Sequence, residues 1–344
     1  MDPVLAPKVT ALLAKLQPKA VCFQGPTAKQ AIRWAGSESG DAPEPNWSTS
    51  RSSVTPGHGD PNAEMFAPSE SDVTLSATGE WYWRPGQPIK SLAFMTTIYE
   101  RTVGHNSNLL LNFALTYSGQ QPSESIRRFK ELGDWVRGCF GTPVSSMGAA
   151  QVASGGDVTM AVSSGKPIGR IVIMEDQTLG QRIRRFTVEV LPSASGQTID
   201  GAWQTVATAE SVGHKRIIAL NTSSSLSSVR LTVLDSVGAA RIRSMAVYAA
   251  EDCVAPPAPP AAPCELVEDY EYSGVALNTL AGQSVPECCA ACRKDQRCVG
   301  FVRKLSGYCE LFKAIGGATV VEGSISGSPT RAGARQQTPT AEGR

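Results

Sequence analysis

Six of the nine cysteines of this 344-residue chain crowd into one short stretch, at Cys264, Cys288, Cys289, Cys292, Cys298 and Cys309. Nothing else in the sequence limits the fold as strongly. Disulfides at such density staple a small module whose apolar core is too small to hold it alone, and they form in the secretory pathway. Many connectivities are open to six cysteines, and spacing selects none of them. A zinc site is the rival reading, but it needs paired C-x2-C knuckles that this spacing does not supply. Of the other three, Cys22 and Cys139 lie in apolar contexts that suit buried thiols, and Cys253 is left over at the edge of a linker.

Composition marks the borders of that module. The stretch 253–263, CVAPPAPPAAP, reads as a semi-rigid polyproline-II spacer, and the tail from 328 has almost nothing apolar to bury and reads as disordered. Upstream, the texture changes near 142–156, where GTPVSSMGAAQVASGG separates two patterns. Before it, helical periodicity in 7–16, 91–103 and 123–140 alternates with short apolar strands at AVCFQG, AIRWAG, EWYWRP and NLLLNFAL. Helices alternating with such strands predict a parallel sheet covered by helices. After it, period-two segments such as IGRIVIMED, IRRFTVEVLP, HKRIIALN and SVRLTVLDS predict a β-sandwich. The expected organisation is therefore 1–141, 142–252, the linker 253–263, the cysteine-rich module 264–327 and the tail 328–344.

The 32 basic and 31 acidic residues nearly cancel, with no long basic stripe, which argues against a nucleic-acid partner. No apolar run is long enough to span a bilayer. The start Met1-Asp2-Pro3 lacks the basic-then-apolar build of a signal peptide, so a secreted module here leads to the expectation that the natural start lies further upstream. The three histidines, His58, His105 and His214, form no ligand cluster, and neither a phosphate-cradling glycine loop nor a nucleophile elbow is present. Neither a cofactor nor a metal is expected.

Residues 1–141 carry the most specific pattern. VCFQGP, IRWAGSESG, PNWSTS, GDPNAEMFAPSESD, EWYWRP, VGHNSNLLLN and ELGDWV follow one another in the order of blocks in the later part of the α-L-fucosidase family of glycoside hydrolases, which they resemble. That resemblance implies the C-terminal half of a (β/α)8 barrel with its site at the C-terminal strand ends. It also implies a retaining mechanism, with one carboxylate attacking the anomeric carbon and a second carboxyl protonating the leaving oxygen and then activating water. Glu38, in IRWAGSESG, matches the acid/base position; the alternative is a solvated loop glutamate. Arg33 and Trp34 flank it as candidate sugar contacts, and Glu70 and Asp72 match an acidic pair that either binds substrate or orders its loop. Trp81 and Trp83 share a face if EWYWRP is a strand, as a sugar platform or as core under a helix. The attacking carboxylate of relatives belongs to a strand expected just upstream of Met1, with Asp2 as a poor substitute, so the chain taken alone is expected to be inactive.

Residues 142–252 are similar to the galactose-binding-like domain that follows the barrel in fucosidases, on RFTVEV, GAWQTVATAESVGHKRII and VRLTVLDSVGAARIRSMAVY. Residues 264–311 resemble an apple/PAN module, a small disulfide-rich α+β fold, and the pairing proposed with that resemblance is Cys264–Cys289, Cys288–Cys309 and Cys292–Cys298. Such modules bind proteins or carbohydrates. Two functions follow. The first is an α-L-fucosidase acting on fucosylated glycans in a secreted, lysosomal or vacuolar setting; the alternative is a non-catalytic carbohydrate- or protein-binding chain that uses the sandwich and apple-like modules. Asn46 and Asn221 stand in glycosylation sequons that would suit secretion.

Overall fold

The computed structural model describes residues 5–25, 31–52, 54–84, 87–193, 202–254, 264–281, 283–304, 306 and 308–329. Asp2, the Pro/Ala linker from 255 and the tail from 330 lie outside the described residues, as do the side chains at 221–223 and with them the sequon at Asn221. The chain divides into two compact units, the first drawn from 1–73, 91–112 and 130–255, the second from 74–90, 113–129 and 256–344.

The first unit contains a four-stranded sheet, ordered Cys22–Phe23, Ala31–Trp34, Ser69–Thr74, Ser107–Asn112, whose first three strands run parallel. The helix Leu92–Thr102 starts at Ser91, whose hydroxyl accepts from the Phe94 N–H at 3.2 Å, and it buries Leu92, Met95 and Ile98 at helical spacing. Helix and sheet meet where Gly40, with φ of 87°, lies so close to Ile98 and Val73 that a Cβ would fall 2.7 Å from the Ile98 side chain.

Three expectations need correction. EWYWRP forms no strand: Trp81–Arg84 is bend and coil, so the alternation that would put Trp81 and Trp83 on one face does not exist. The strand Ser69–Thr74 is absent from the sequence reading because its buried positions are Ser69 and Ser71, followed only at Val73 by an apolar residue. Cys139 is no buried thiol but is bonded to Cys253, across 114 residues, while Cys22 is free and partly exposed. The Cys139–Cys253 bond joins the end of the helix Ser123–Gly141 to the turn after the last strand of the unit. Beside it Trp135 donates its indole N–H to the Cys253 carbonyl at 3.0 Å, and Tyr99, Trp135, Phe140 and Tyr248 pack edge-on or tilted at 5.4–6.0 Å.

Among the described residues the first unit also holds an antiparallel assembly of eight strands. Two of the expected strands are one, Arg216–Ser236. Its first half pairs with Pro167–Glu175, and its second half pairs with Ile183–Pro192 and Asp157–Ala161. The alternating residues Ile171, Ile173, Phe186, Val188, Val229, Leu231 and Val233 are fully buried in one core, as period-two patterning requires.

A buried polar seam fastens the parallel sheet to this assembly. Asn46 N–H donates to Ser211 at 3.0 Å, Ser48 N–H to the Gln181 amide oxygen at 2.9 Å, and His214 N–H to Asn106 at 2.7 Å. Asn106 takes the left-handed conformation (φ 60°), and Gly213 must be glycine because a Cβ there would strike the Asn106 side chain. Glu175, 2% exposed, accepts from the N–H groups of Arg182, Ile183 and Gly213 at 2.6–3.2 Å and so clamps two turns.

The second unit holds a long antiparallel pair, Cys264–Ala281 with Tyr308–Pro329, joined by the parallel strand Gly300–Arg303. Its helix Val285–Lys294 opens with a reciprocal cap between Ser284 and Glu287. Cys264 pairs with Cys289, Cys288 with Cys309 and Cys292 with Cys298, and with Phe301 and Leu311 these buried cysteines make the module's core.

Desolvation outweighs the three N–H donors and pushes the Glu175 carboxyl up to about 7, so its folded pKa lies above its unfolded one. The stability it favours is complete below the unfolded value and is lost as pH rises towards 7. Glu175→Gln, which cannot ionise, is therefore expected to gain in melting temperature relative to the parent between pH 5 and 8. A difference that stays constant or shrinks as pH rises contradicts this.

Candidate functional site

Successive side chains of a strand point to opposite faces, so Arg33 and Trp34 part company at once. Arg33 is fully buried. Its guanidinium donates to the Asn46 side-chain oxygen at 2.5 Å and to the carbonyls of Trp47 at 2.6 Å and His58 at 3.2 Å, and also to the Gly57 carbonyl. No carboxylate is among these partners, and burial pushes the group down to about 10. Arg33 thus organises the loop 46–58 from within. Asn46, 1% exposed, spends its amide on Ser69 at 2.7 Å and on the His105 and Asn106 carbonyls at 2.9 and 3.0 Å. That burial leaves no room for a glycan, which removes Asn46 as a glycosylation site.

The opposite face of the sheet is open. Trp34 stands in register with Glu70, and its indole N–H donates to Asp72 at 2.6 Å. Ser107 hydrogen-bonds Ser69 at 2.8 Å and so belongs to the buried face; Asn108 and the 44%-exposed Leu110 therefore point to the open one. Phe23, in register with Ile32, extends this face to the edge strand. The result is a strip in which Trp34 and apolar side chains flank two carboxylates. Desolvation first, and then the neighbouring Asp72, raise the Glu70 carboxyl above its ordinary range.

Glu38 sits in the turn that follows the Trp34 strand, exposed. The turn is held by its neighbours: Ser39 bridges to Val73, the Ser37 and Ser39 hydroxyls meet at 2.8 Å, Ser39 donates to Asp41 at 3.0 Å, and Arg101 pairs with Asp41 at 2.9 Å. Trp34, Glu70 and Asp72 are thus brought together, with Glu38 on the loop beyond the same strand. Trp81 and Trp83 belong to the second unit, where Trp83 packs against Tyr117 and Tyr270 with centroids 5.5 and 6.3 Å apart.

No group of metal-ligating side chains occurs among the described residues. His105 is held neutral: burial, then Arg216 and Arg101, push it down to about 4. Asn46, Asn106, Ser69 and Ser71, which fix the strip from behind, escaped the sequence reading because buried hydrogen-bonding serines and asparagines have the composition of a loop.

No protein-family model matches the chain. Two curated plant proteins are similar to it. Alpha-L-fucosidase 1 of Arabidopsis thaliana is 26% identical over 246 residues, 60% of this chain and 47% of the relative. A rice protein (Oryza sativa subsp. japonica), described as a candidate alpha-L-fucosidase 1, is 26% identical over 247 residues, 60% of this chain and 46% of the relative. Among solved structures, a candidate α-L-fucosidase from Bacteroides thetaiotaomicron is 28% identical with a TM-score of 0.60, over 71% of this chain and 56% of that one. The chain spans about half the length of the curated relatives it matches. Over that span the chain is similar to α-L-fucosidases in sequence and in fold.

Lysine cannot reproduce the fork that Arg33 presents to four oxygens. Arg33→Lys is expected to destabilise by about 2–4 kcal/mol, because buried acceptors left unpaired cost roughly 1–3 kcal/mol each. Thermal unfolding checks it: a lower melting temperature with faster proteolysis of the loop 46–58 is the expected outcome, and an unchanged one contradicts the assignment.

Proposed function

We propose that the open strip of Trp34, Glu70 and Asp72, with Glu38 at its rim, is the fucose-binding and proton-transfer part of an α-L-fucosidase site, in a chain built from half a (β/α)8 barrel, a galactose-binding-like sandwich and an apple-like module. The reaction is retaining hydrolysis of terminal α-linked L-fucose from glycans. The observation that carries this reading is the Trp34–Asp72 hydrogen bond beside Glu70, on the parallel-sheet face whose strand runs on into the Glu38 turn.

Each residue has a chemical task. The indole of Trp34 offers a face to the sugar's C–H groups, and Asp72 fixes that ring in place. Glu70, its carboxyl raised above its ordinary range by burial and then by Asp72, offers its oxygens to a sugar hydroxyl. Glu38, exposed on its tied turn, is placed to give a proton to the leaving oxygen and to take one from water afterwards. Arg33 positions these groups through the loop behind them. Trp81 and Trp83 are proposed as sugar contacts within the second unit. Fucosylated glycans met in a secretory or extracellular setting are the proposed partners, and the apple-like module is proposed to take a protein or carbohydrate ligand.

A retaining mechanism also needs a carboxylate poised to attack, ~5–5.5 Å from the acid/base. We assign that role to neither acid of the strip: Asp72 is tied to Trp34, and Glu70 stands beside it as a substrate contact. General acid assistance alone contributes about 10²–10⁴-fold. The chain by itself is therefore expected to show no turnover of an aryl α-L-fucoside above background. Robust hydrolysis lost in Glu38→Gln would establish the acid/base role and identify an attacking group among the residues present. Robust hydrolysis unchanged in Glu38→Gln would overturn the assignment of Glu38.

A further inference from the structure

The helix Leu5–Leu16 of the first unit keeps its largest apolar face outward. Its partly covered positions are Ala6, Thr10 and Leu13, whose spacing puts them on one side of the helix. Leu5, Val9, Leu12 and Leu16 recur at steps of four, three and four, so they form a neighbouring stripe, and each is 52–61% exposed. No residue of the helix is buried. The stripe therefore does not serve to seat the helix on its own unit, and four aliphatic side chains aligned in water are the ordinary drive for association.

The charge beside the stripe decides the partner. Lys8 and Lys15 stand two helical turns apart along one border of it, both exposed, and the exposed Lys19 follows in the turn after the helix. Between Asp2 and Glu38 the chain has no acidic residue. A second copy is a poor match: the stripe spans two heptads, short of the three or four that sustain a coiled coil, and antiparallel pairing would set the two lysine borders against each other. An anionic bilayer matches both features. The aliphatic stripe sinks into the acyl boundary, while the lysine stems run along apolar surface and return their ammonium groups to the phosphates.

We infer that the outward face of the helix Leu5–Leu16 is a peripheral docking surface for an anionic phospholipid membrane. The helix lies along the headgroups, with Leu5, Val9, Leu12 and Leu16 inserted and Lys8 and Lys15 at the level of the phosphates. Contact through one short helix is weak and reversible, and it does not depend on the Trp34 strip being catalytic.

Sedimentation of the full chain with phospholipid vesicles tests this. The chain is expected to pellet with vesicles of phosphatidylcholine carrying about 30% phosphatidylserine, and to bind vesicles of phosphatidylcholine alone at least about tenfold more weakly. Leu12→Glu/Leu16→Glu and, separately, Lys8→Glu/Lys15→Glu should each weaken binding to the anionic vesicles at least about tenfold. All four positions are exposed, so both variants should keep the parent's melting temperature. No pelleting of the parent, equal affinity for the two kinds of vesicle, or a folded variant that binds as the parent does would each overturn the inference. A parent that sediments as a dimer, dissolved by Leu12→Glu/Leu16→Glu, would give the stripe to a second copy and overturn it as well.

Discussion

The buried guanidinium of Arg33 is the constraint on which the first unit depends. A full charge taken out of water costs several kcal/mol unless its donors are matched, and here the two terminal nitrogens meet neutral oxygens of Asn46, Trp47, Gly57 and His58 while Nε is buried without a partner. Those oxygens must stay where they are, so the backbone at Asn46–Trp47 and at Gly57–His58 is tied to one place. Asn46 passes the restriction on to Ser69 and Asn106, and Asn106 to His214 on the antiparallel assembly. A four-stranded sheet with serines on its inner face has little hydrophobic drive of its own. It is held by polar geometry.

The consequence is a division of labour between the two faces. The inner face spends its polar groups on structure, and the outer face carries Trp34, Glu70 and Asp72, the residues of the proposed site. The Glu38 turn gains its rigidity from the same strands and from the helix Leu92–Thr102, through Ser39 with Val73 and Asp41 with Arg101. The proposed proton donor thus sits on a turn tied at both flanks and is exposed.

The residues that carried the sequence reading were those whose spacing has few structural solutions. Apolar periodicity marked the helices at 5–16 and 92–102, and alternation marked the strands around Ile171, Phe186 and Leu231. The reading failed where burial is polar. SESDVT looks like a loop because its buried positions are serines, and only the hydrogen bonds of Ser69 and Ser71 with Ser107 make a strand core of them. EWYWRP failed in the opposite sense, since aromatic alternation suits a strand but also suits bends whose rings find partners, as Trp83 does with Tyr117 and Tyr270. The Cys139–Cys253 bond spans 114 residues, a distance over which local context carries no information. Of the proposed fucose site, the motif around Glu38 was legible, whereas the indole–carboxylate contact required the register of two strands.

That contact is where the account is most open to test. The indole N–H of Trp34 donates to Asp72 at the centre of the proposed sugar face, whereas the indole of Trp135 is sealed against the Cys253 carbonyl. Titration of the ¹⁵N-labelled chain with L-fucose, followed through the indole N–H resonances, reads both positions at once. The account predicts a saturable shift of the Trp34 resonance that disappears in Glu70→Ala, with the Trp135 resonance unmoved. A Trp34 resonance indifferent to fucose, or one that moves no more than that of Trp135, would contradict it.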